Sequence, residues 1–303
     1  MKFDGAALLD TVSVADGAWA TQLRARGLPV GEAAESANLS HPEMVVELGR
    51  EYLAAGARWL TTNTFGANRL ALEARQRTAD VTELNRRGAE LARQAAQDEP
   101  SALVVGTIGP CARILAVGEV REDELRSAYE QQATALAAGG VDALLLETFS
   151  ELAEILAVLR VVKEVTNLPV IASMSFDSGP QRTSTMMGAH AEDCAAALDD
   201  AGADVVGCNC GGGVNTVLPA VVALRAATQL PLWVKPSAGL PDVEDGQPVY
   251  TQTPEQFTAI VPTLIDAGAN IIGGCCGTGP EHIRRLASIV ATRQRTKKRR
   301  PAK

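Results

Sequence analysis

Ala201-Gly202-Ala203-Asp204-Val205-Val206-Gly207-Cys208-Asn209-Cys210 is the stretch that decides the fold. A glycine suited to ending a helix comes first, an apolar run follows, and polar and thiol residues close it. The pattern recurs. Ala55-Gly56-Ala57 precedes Arg58-Trp59-Leu60-Thr61-Thr62-Asn63, and Ala138-Gly139-Gly140 precedes Val141-Asp142-Ala143-Leu144-Leu145-Leu146-Glu147. Ala267-Gly268-Ala269 precedes Asn270-Ile271-Ile272-Gly273-Gly274. Each glycine fits the left-handed residue that stops a helix, because it has no Cβ to clash. Each apolar run reads as a strand buried on both faces. Val12 to Asp16, Ala102 to Ile108, Pro169 to Ser175 and Pro231 to Lys235 are further strand candidates, giving eight. Helical patterns over 42–55, 79–97, 122–138, 151–166, 191–201, 215–228, 254–267 and 280–292 separate them. Strands alternating with helices imply a parallel α/β sheet. The expected architecture is a single (β/α)8 TIM barrel over residues 1–292. An open doubly wound sheet is the alternative, weakened by the lack of a glycine-rich dinucleotide turn after the first strand.

Composition agrees with one soluble domain: 303 residues, 46% hydrophobic and 21% charged. The absence of a spanning apolar run or a signal-like start predicts a cytoplasmic protein with no membrane partner. Of 28 basic residues, seven (Arg293, Arg295, Lys297, Lys298, Arg299, Arg300 and Lys303) lie in the final segment. Against 36 acids, the 21 remaining basic residues leave a body of charge −15, where the whole chain is −8. A body so acidic is not a nucleic-acid-binding surface. Residues 293–303 read as a basic, disordered C-terminal tail. Ser40, Thr253 and Thr278, each followed by Pro and Glu or Gln, have the spacing of helix caps.

In a barrel, chemistry belongs at the C-terminal strand ends. Those ends read Asp16-Gly17, Asn63-Thr64-Phe65, Gly109-Pro110, Glu147-Thr148-Phe149, Ser175-Phe176, Asn209-Cys210, Lys235-Pro236-Ser237 and Gly274-Cys275-Cys276. Cys210, Cys275 and Cys276 would converge over the mouth as three thiolates, a zinc site with one position open. Adjacent strand residues point oppositely, so Cys275 and Cys276 share a metal only where the strand bends, and Gly273, Gly274 and Gly277 supply that freedom. Cys208 can point to the same face as Cys210 and is read as core. Cys111 is placed at the mouth and Cys194 on a helix. Buried apolar cysteines or a vicinal disulfide are the plain alternatives. Zinc with three thiolates carries net charge −1 and suits a substrate thiol better than water. A free thiol, with pKa of about 8.5, is mostly protonated at neutral pH until coordination removes its proton.

Asp16 and Glu147 form either an acid/base pair or an ammonium receptor. The Gly17 and Ala18 amides could receive a carboxylate. An amino-acid thiol fits all three parts. His41, His190 and His282 fall at helix starts and read as capping or surface residues.

These motifs, namely Asp16-Gly17-Ala18, Thr62-Asn63-Thr64-Phe65-Gly66-Ala67, Gly109-Pro110, Glu147-Thr148, Gly207-Cys208-Asn209-Cys210 and Gly273-Gly274-Cys275-Cys276-Gly277-Thr278-Gly279-Pro280-Glu281-His282-Ile283, resemble the homocysteine S-methyltransferase family. The resemblance runs from about residue 10 to 292. It implies a zinc-dependent barrel that methylates homocysteine to methionine with a zinc-bound thiolate as nucleophile. It places the zinc ligands on Cys210, Cys275 and Cys276, the catalytic and homocysteine-contacting acids on Asp16 and Glu147, and pocket residues at Thr64 and Asn209. Val234-Lys235-Pro236-Ser237-Ala238-Gly239-Leu240-Pro241 is most similar to the homocysteine domain of cobalamin-dependent methionine synthase, with Ser237 where asparagine is frequent and Ala20-Thr21 where glycine-threonine is frequent. The chain has no room for folate or cobalamin domains. The methyl donor is therefore expected to be S-methylmethionine, a betaine-like onium compound, or methylcobalamin on a partner protein of a split methionine synthase. Trp19, Phe65, Phe149 and Phe176 could cage an onium group. Two rival readings are a hydrolase or lyase working through Asp16 and Glu147, and a zinc- or thiol-binding module without catalysis.

Overall fold

In the computed structural model, which describes residues 3, 5–29, 31–76, 80–244 and 247–299, the repeated units become parallel strands. They are β1 (Ser13–Val14), β2 (Trp59–Thr61), β3 (Leu103–Ile108), β4 (Ala143–Phe149), β5 (Val170–Met174), β6 (Val205–Cys210) and β7 (Leu232–Pro236). An antiparallel hairpin of β8 (Asp242–Glu244) and β9 (Gln247–Val249) intervenes before the last barrel strand, β10 (Ala269–Ile272). The eight parallel strands run in the order β1-β10-β7-β6-β5-β4-β3-β2. The ring closes between β1 and β2, where the Arg58 N–H donates to Val14 O at 2.7 Å and the Asp16 N–H to Trp59 O at 3.0 Å. This is the expected TIM-barrel architecture. The helix-ending glycines of the repeat, Gly56, Gly140, Gly202 and Gly268, have φ of 107°, 87°, 86° and 100°. No helix among the described residues is long and apolar enough to cross a membrane.

Period-two alternation divides the strand side chains into two layers. Val105, Leu145, Ile171, Val205, Trp233 and Ile271 point into the barrel, where Trp59 meets Trp233 edge-on at 6.0 Å. A Cβ on Gly207 would lie 2.1 Å from the Trp233 carbonyl oxygen, so glycine alone permits that packing. Val104, Leu144, Ala172, Val206, Cys208 and Val234 point outward against the helices. Burying each large aliphatic side chain is worth about 1.5–3 kcal/mol. The short helix Gly5–Leu9 and Phe3 plug the lower end through Leu8 and an edge-on contact of Phe3 with Trp59.

The structure departs from sequence expectation in four places. The helix expected over 254–267 is two, Pro254–Thr258 and Val261–Asp266. Pro262 starts the second because it lacks an N–H and its ring clashes with a carbonyl one turn back. Short helices Ala20–Ala25, Ala37–Ser40 and Arg69–Ala74 fill the loops after β1 and β2. Of the three expected caps only Thr253 forms its box; Ser40 ends the preceding helix and bonds Ser36 O, and the Thr278 hydroxyl donates to Cys275 O. The last helix, Pro280–Arg299, continues through the segment expected to be a disordered tail from residue 293. Gln294 anchors it by donating to Val12 O at 2.6 Å. Residues 300–303 of that tail lie outside the described residues.

Candidate metal centre and substrate cavity

β6 and β10 end two positions apart in the ring, separated by β7. After Ile272 the chain leaves the strand direction and Gly277 takes φ of 80°. The bend turns Cys275 and Cys276 the same way, with sulfurs 4.0 Å apart. Cys210 has φ of 63°, a left-handed conformation that swings it from the outer layer, where alternation would place it, to the mouth. The sulfurs of Cys210, Cys275 and Cys276 all lie within 4.8 Å of one another. Tetrahedral zinc–thiolate bonds of ~2.3 Å require sulfurs ~3.8 Å apart, so this donor set fits the ion. Cys208 stays in the outer layer with Cys111 and Cys194, and burial pushes all three thiols up to about 12. Cys111 is thus not a mouth residue as expected.

Polar neighbours support the sulfurs. The Ser237 hydroxyl lies 3.6 Å from the Cys210 sulfur and the Asn209 amide 3.9 Å from that of Cys275. Tyr250 sits beside Cys276 and packs over Gly277. Thiol hydrogen bonds from Cys275 and Cys276 hold Cys210 down at about 2, whereas the bond to Cys210 raises Cys275 and pushes Cys276 up to about 11. Asn209 is 2% exposed and serves as a brace. Its oxygen accepts from the Thr148 N–H (3.0 Å) and the Ser173 hydroxyl (2.7 Å), and its amide donates to Thr148 Oγ1 (2.6 Å). Thr148 also has φ of 63°, rare for a β-branched residue. Asn209 thus links the left-handed ends of β4 and β6 to the sulfurs. Asn209 is absent from the cavity lining, where the sequence expectation had placed it.

The acids differ from expectation too. Asp16 is 0% exposed. One of its oxygens accepts from Lys235 Nζ at 2.7 Å. The other accepts from Thr61 N (2.8 Å), Thr61 Oγ1 (2.7 Å) and Trp19 Nε1 (3.2 Å). Asp16 is absent from the cavity lining, and its oxygens are engaged by these protein donors. Glu147 does line the cavity, with Lys235 Nζ 3.9 Å from its Oε1. Burial raises the Glu147 carboxyl, opposed by Lys235. Burial also works to lower Lys235, but Asp16 and Glu147 more than offset it and hold the ammonium above its ordinary value. The Ala18 N–H donates to Thr278 O at 3.2 Å, so it is not the free amide that sequence suggested for a carboxylate. A cavity of about 630 Å³ joins Gly17, Ala18, Thr64, Glu147, Lys235 and the three cysteines.

The model of the homocysteine S-methyltransferase family matches residues 13–290. The chain belongs to that family. Methionine synthases of Mycobacterium tuberculosis and Mycobacterium leprae are each 30% identical to it, over 95% and 94% of this chain. The chain spans about a quarter of the length of these curated relatives, 26% and 25%. The metallated form of the homocysteine methyltransferase MmuM from Escherichia coli superposes with a TM-score of 0.78 at 27% identity, covering 93% of this chain and 98% of that one. The carboxyl transferase domain of Rhizobium etli pyruvate carboxylase, at 16% identity and a TM-score of 0.57, shares the fold alone.

Within this homocysteine S-methyltransferase family member, Lys235, Ser237 and Tyr250 also stand at the site, and the sequence had given them no role there. Lys235 stood at a strand end, yet its partners come from β1 and β4, more than 80 residues away. Tyr250 follows the β8–β9 hairpin, which no periodicity announced. Of the aromatics proposed to cage an onium group, Trp19 and Phe65 line the cavity, whereas Phe149 and Phe176 pack in the outer core. His282 accepts from the Gly279 N–H and contacts Gln252 O, a tie at the start of the last helix, consistent with a capping role.

Proposed function

We propose that this chain transfers a methyl group to the thiol of homocysteine, giving methionine, and that Cys210, Cys275 and Cys276 hold a zinc ion for this purpose. The convergence of three sulfurs at the floor of a cavity that also presents Glu147 carries the reading. Zinc held by three thiolates supplies an open position that takes up a thiol as thiolate while leaving its sulfur electron-rich. Ser237, Asn209 and Tyr250 keep the ligand sulfurs aimed together. Glu147 orients the substrate through its ammonium, and Asp16 acts indirectly by anchoring Lys235. Trp19 and Phe65 form apolar wall that excludes water from the reacting sulfur and can face a cationic donor. The donor is proposed to be a small onium compound, S-methylmethionine or betaine-like, or methylcobalamin presented by a partner. The similarity to part of a methionine synthase supports the second as a split system.

Cys276→Ala should remove zinc and methionine formation together, while Cys208→Ser should keep both. Metal analysis of the two variants, alongside a panel of donors with homocysteine, checks the proposal. Full methionine formation by zinc-free Cys276→Ala protein would end it.

A further inference from the structure

The last helix, Pro280–Arg299, outruns the barrel it packs on. Ile283, Leu286 and Val290 are its residues in the outer core, and residues 291–295 are all exposed. The helix therefore continues for about 13 Å past its last core contact. Along the packed part, cations face acids: Arg284 pairs with Glu281, and Arg285 with Glu255 at 3.2 Å. Past Val290 the balance changes. Arg293 bonds Asp266 and the Pro262 carbonyl, and Gln294 donates to Val12 O. Arg295, Lys297, Lys298, Arg299, Arg300 and Lys303 then follow, and no acid is among them. A short exposed helix is marginal on its own, and like charges three and four positions apart, as at 295, 298 and 299, repel one another. The ties at Arg293 and Gln294 thus start a helical arm whose own sequence supplies no opposing charge. Val12 and Asp266 precede β1 and β10, so the arm leaves from the N-terminal face of the barrel, opposite the mouth. The acidic body repels anions at its surface, but charge is screened within about 8 Å at physiological salt, and the arm reaches beyond that.

We propose that this basic helical arm binds the phosphodiester backbone of a nucleic acid, RNA or DNA, without reading its sequence. From 291 to 299 the residues are only Ala, Thr, Arg, Gln and Lys, cations and small polar groups of the kind that meet phosphates. A protein interface is anchored by large apolar or aromatic side chains, and a helix on a membrane surface needs an apolar face. Residues 291–303 contain no Leu, Ile, Val, Met or aromatic residue, so they fit neither partner. The assignment is independent of the methyl-transfer reading, because a backbone bound there leaves the cavity open.

The test follows the fluorescence anisotropy of a labelled RNA of about 20 nucleotides, and of single-stranded DNA of the same sequence, between about 50 and 200 mM salt. Contacts from the six cations that follow Gln294 give a slope of about −4 in log affinity against log salt, or about a 300-fold loss over that range. The variant Arg295→Gln/Lys297→Gln/Lys298→Gln/Arg299→Gln keeps good helix formers. It should reduce the slope to about −1 and weaken binding at the lower salt by about 30-fold or more. Its zinc content and its methionine formation should match wild type. Removal of residues 295–303, which spares Gln294, should abolish binding. Tighter binding of RNA or of DNA names the source of the phosphates, and equal binding assigns the arm to both. A four-fold variant that binds as wild type does, or a wild-type protein that binds neither strand at the lower salt, overturns the assignment. Tighter binding to poly-glutamate, or to vesicles containing phosphatidylserine, overturns it in favour of an acidic protein or a membrane.

Discussion

Thr148 and Cys210 concentrate the backbone strain of the site, both at φ of 63° on strand ends. Such conformations cost of order 1–3 kcal/mol and persist where surroundings over-determine them. Asn209 does so here, through bonds to both the main chain and the side chain of Thr148. The cysteine triad was legible in the sequence because residue type and glycine context coincide. The left-handed turn at Cys210 was not, since no glycine or asparagine marks it. Asp16 and Glu147 were legible as acids at strand ends, but a sequence cannot show that Lys235 engages one of them. Glu147 carries a prediction. Burial, opposed by Lys235, raises its carboxyl above the ordinary range. A folded value above the unfolded one means that the protonated form stabilises the fold. That contribution is complete below about pH 4 and is lost as pH rises through the folded value. Glu147→Gln mimics the protonated group. In metal-free protein it should match wild type near pH 4 and exceed it at pH 7 by about 1 kcal/mol. Urea denaturation at the two pH values checks this, and a less stable variant at pH 7 would contradict the direction.

At the scale of elements, the loop after β7 does more than connect. Its hairpin, β8 and β9, leads into Tyr250, which sits beside Cys276 and packs over Gly277. A Cβ on Gly277 would lie 2.3 Å from the Tyr250 ring, and φ of 80° disfavours any L side chain there. Gly277→Ala should therefore cost about 1–3 kcal/mol and pull Tyr250 from the sulfur. The expected outcome is a lower Tm with faster loss of zinc to a chelator. Tyr250→Phe should speed zinc loss with little change in Tm, because it deletes the hydroxyl and keeps the ring. If both variants release zinc at the wild-type rate, the hairpin has no part in holding the metal centre. The strands that build the mouth were readable from apolar runs ended by polar residues. The hairpin was not, because its strands are three residues each and pair only with each other.

At the scale of the whole molecule, fold and metal centre are separable. The barrel interior and the helix-facing layer are continuous apolar cores that do not include Cys210, Cys275 or Cys276. The ring closes through backbone hydrogen bonds of β1 and β2 in which no cysteine takes part. That closure was legible as eight strand–helix units, whereas the exact span of the last helix was not, because basic residues suit a helix C-terminus as well as a free tail. Metal removal should consequently leave the barrel folded, unlike a small zinc-dependent domain that unfolds without its ion. The loss should be that of a ligand bound to the native state: about 2.7 kcal/mol when free zinc is at 100 times its Kd. In a barrel larger than 250 residues each kcal/mol moves Tm by roughly 2–4 °C or less. Chelation should thus lower Tm by several degrees, with the shift growing with the logarithm of free zinc and the far-UV circular dichroism unchanged at 25 °C. Calorimetry across a zinc-buffer series reads the first expectation and dichroism the second. Collapse of the dichroism on chelation would mean that the three thiolates hold the barrel together, and that the apolar layers alone do not suffice.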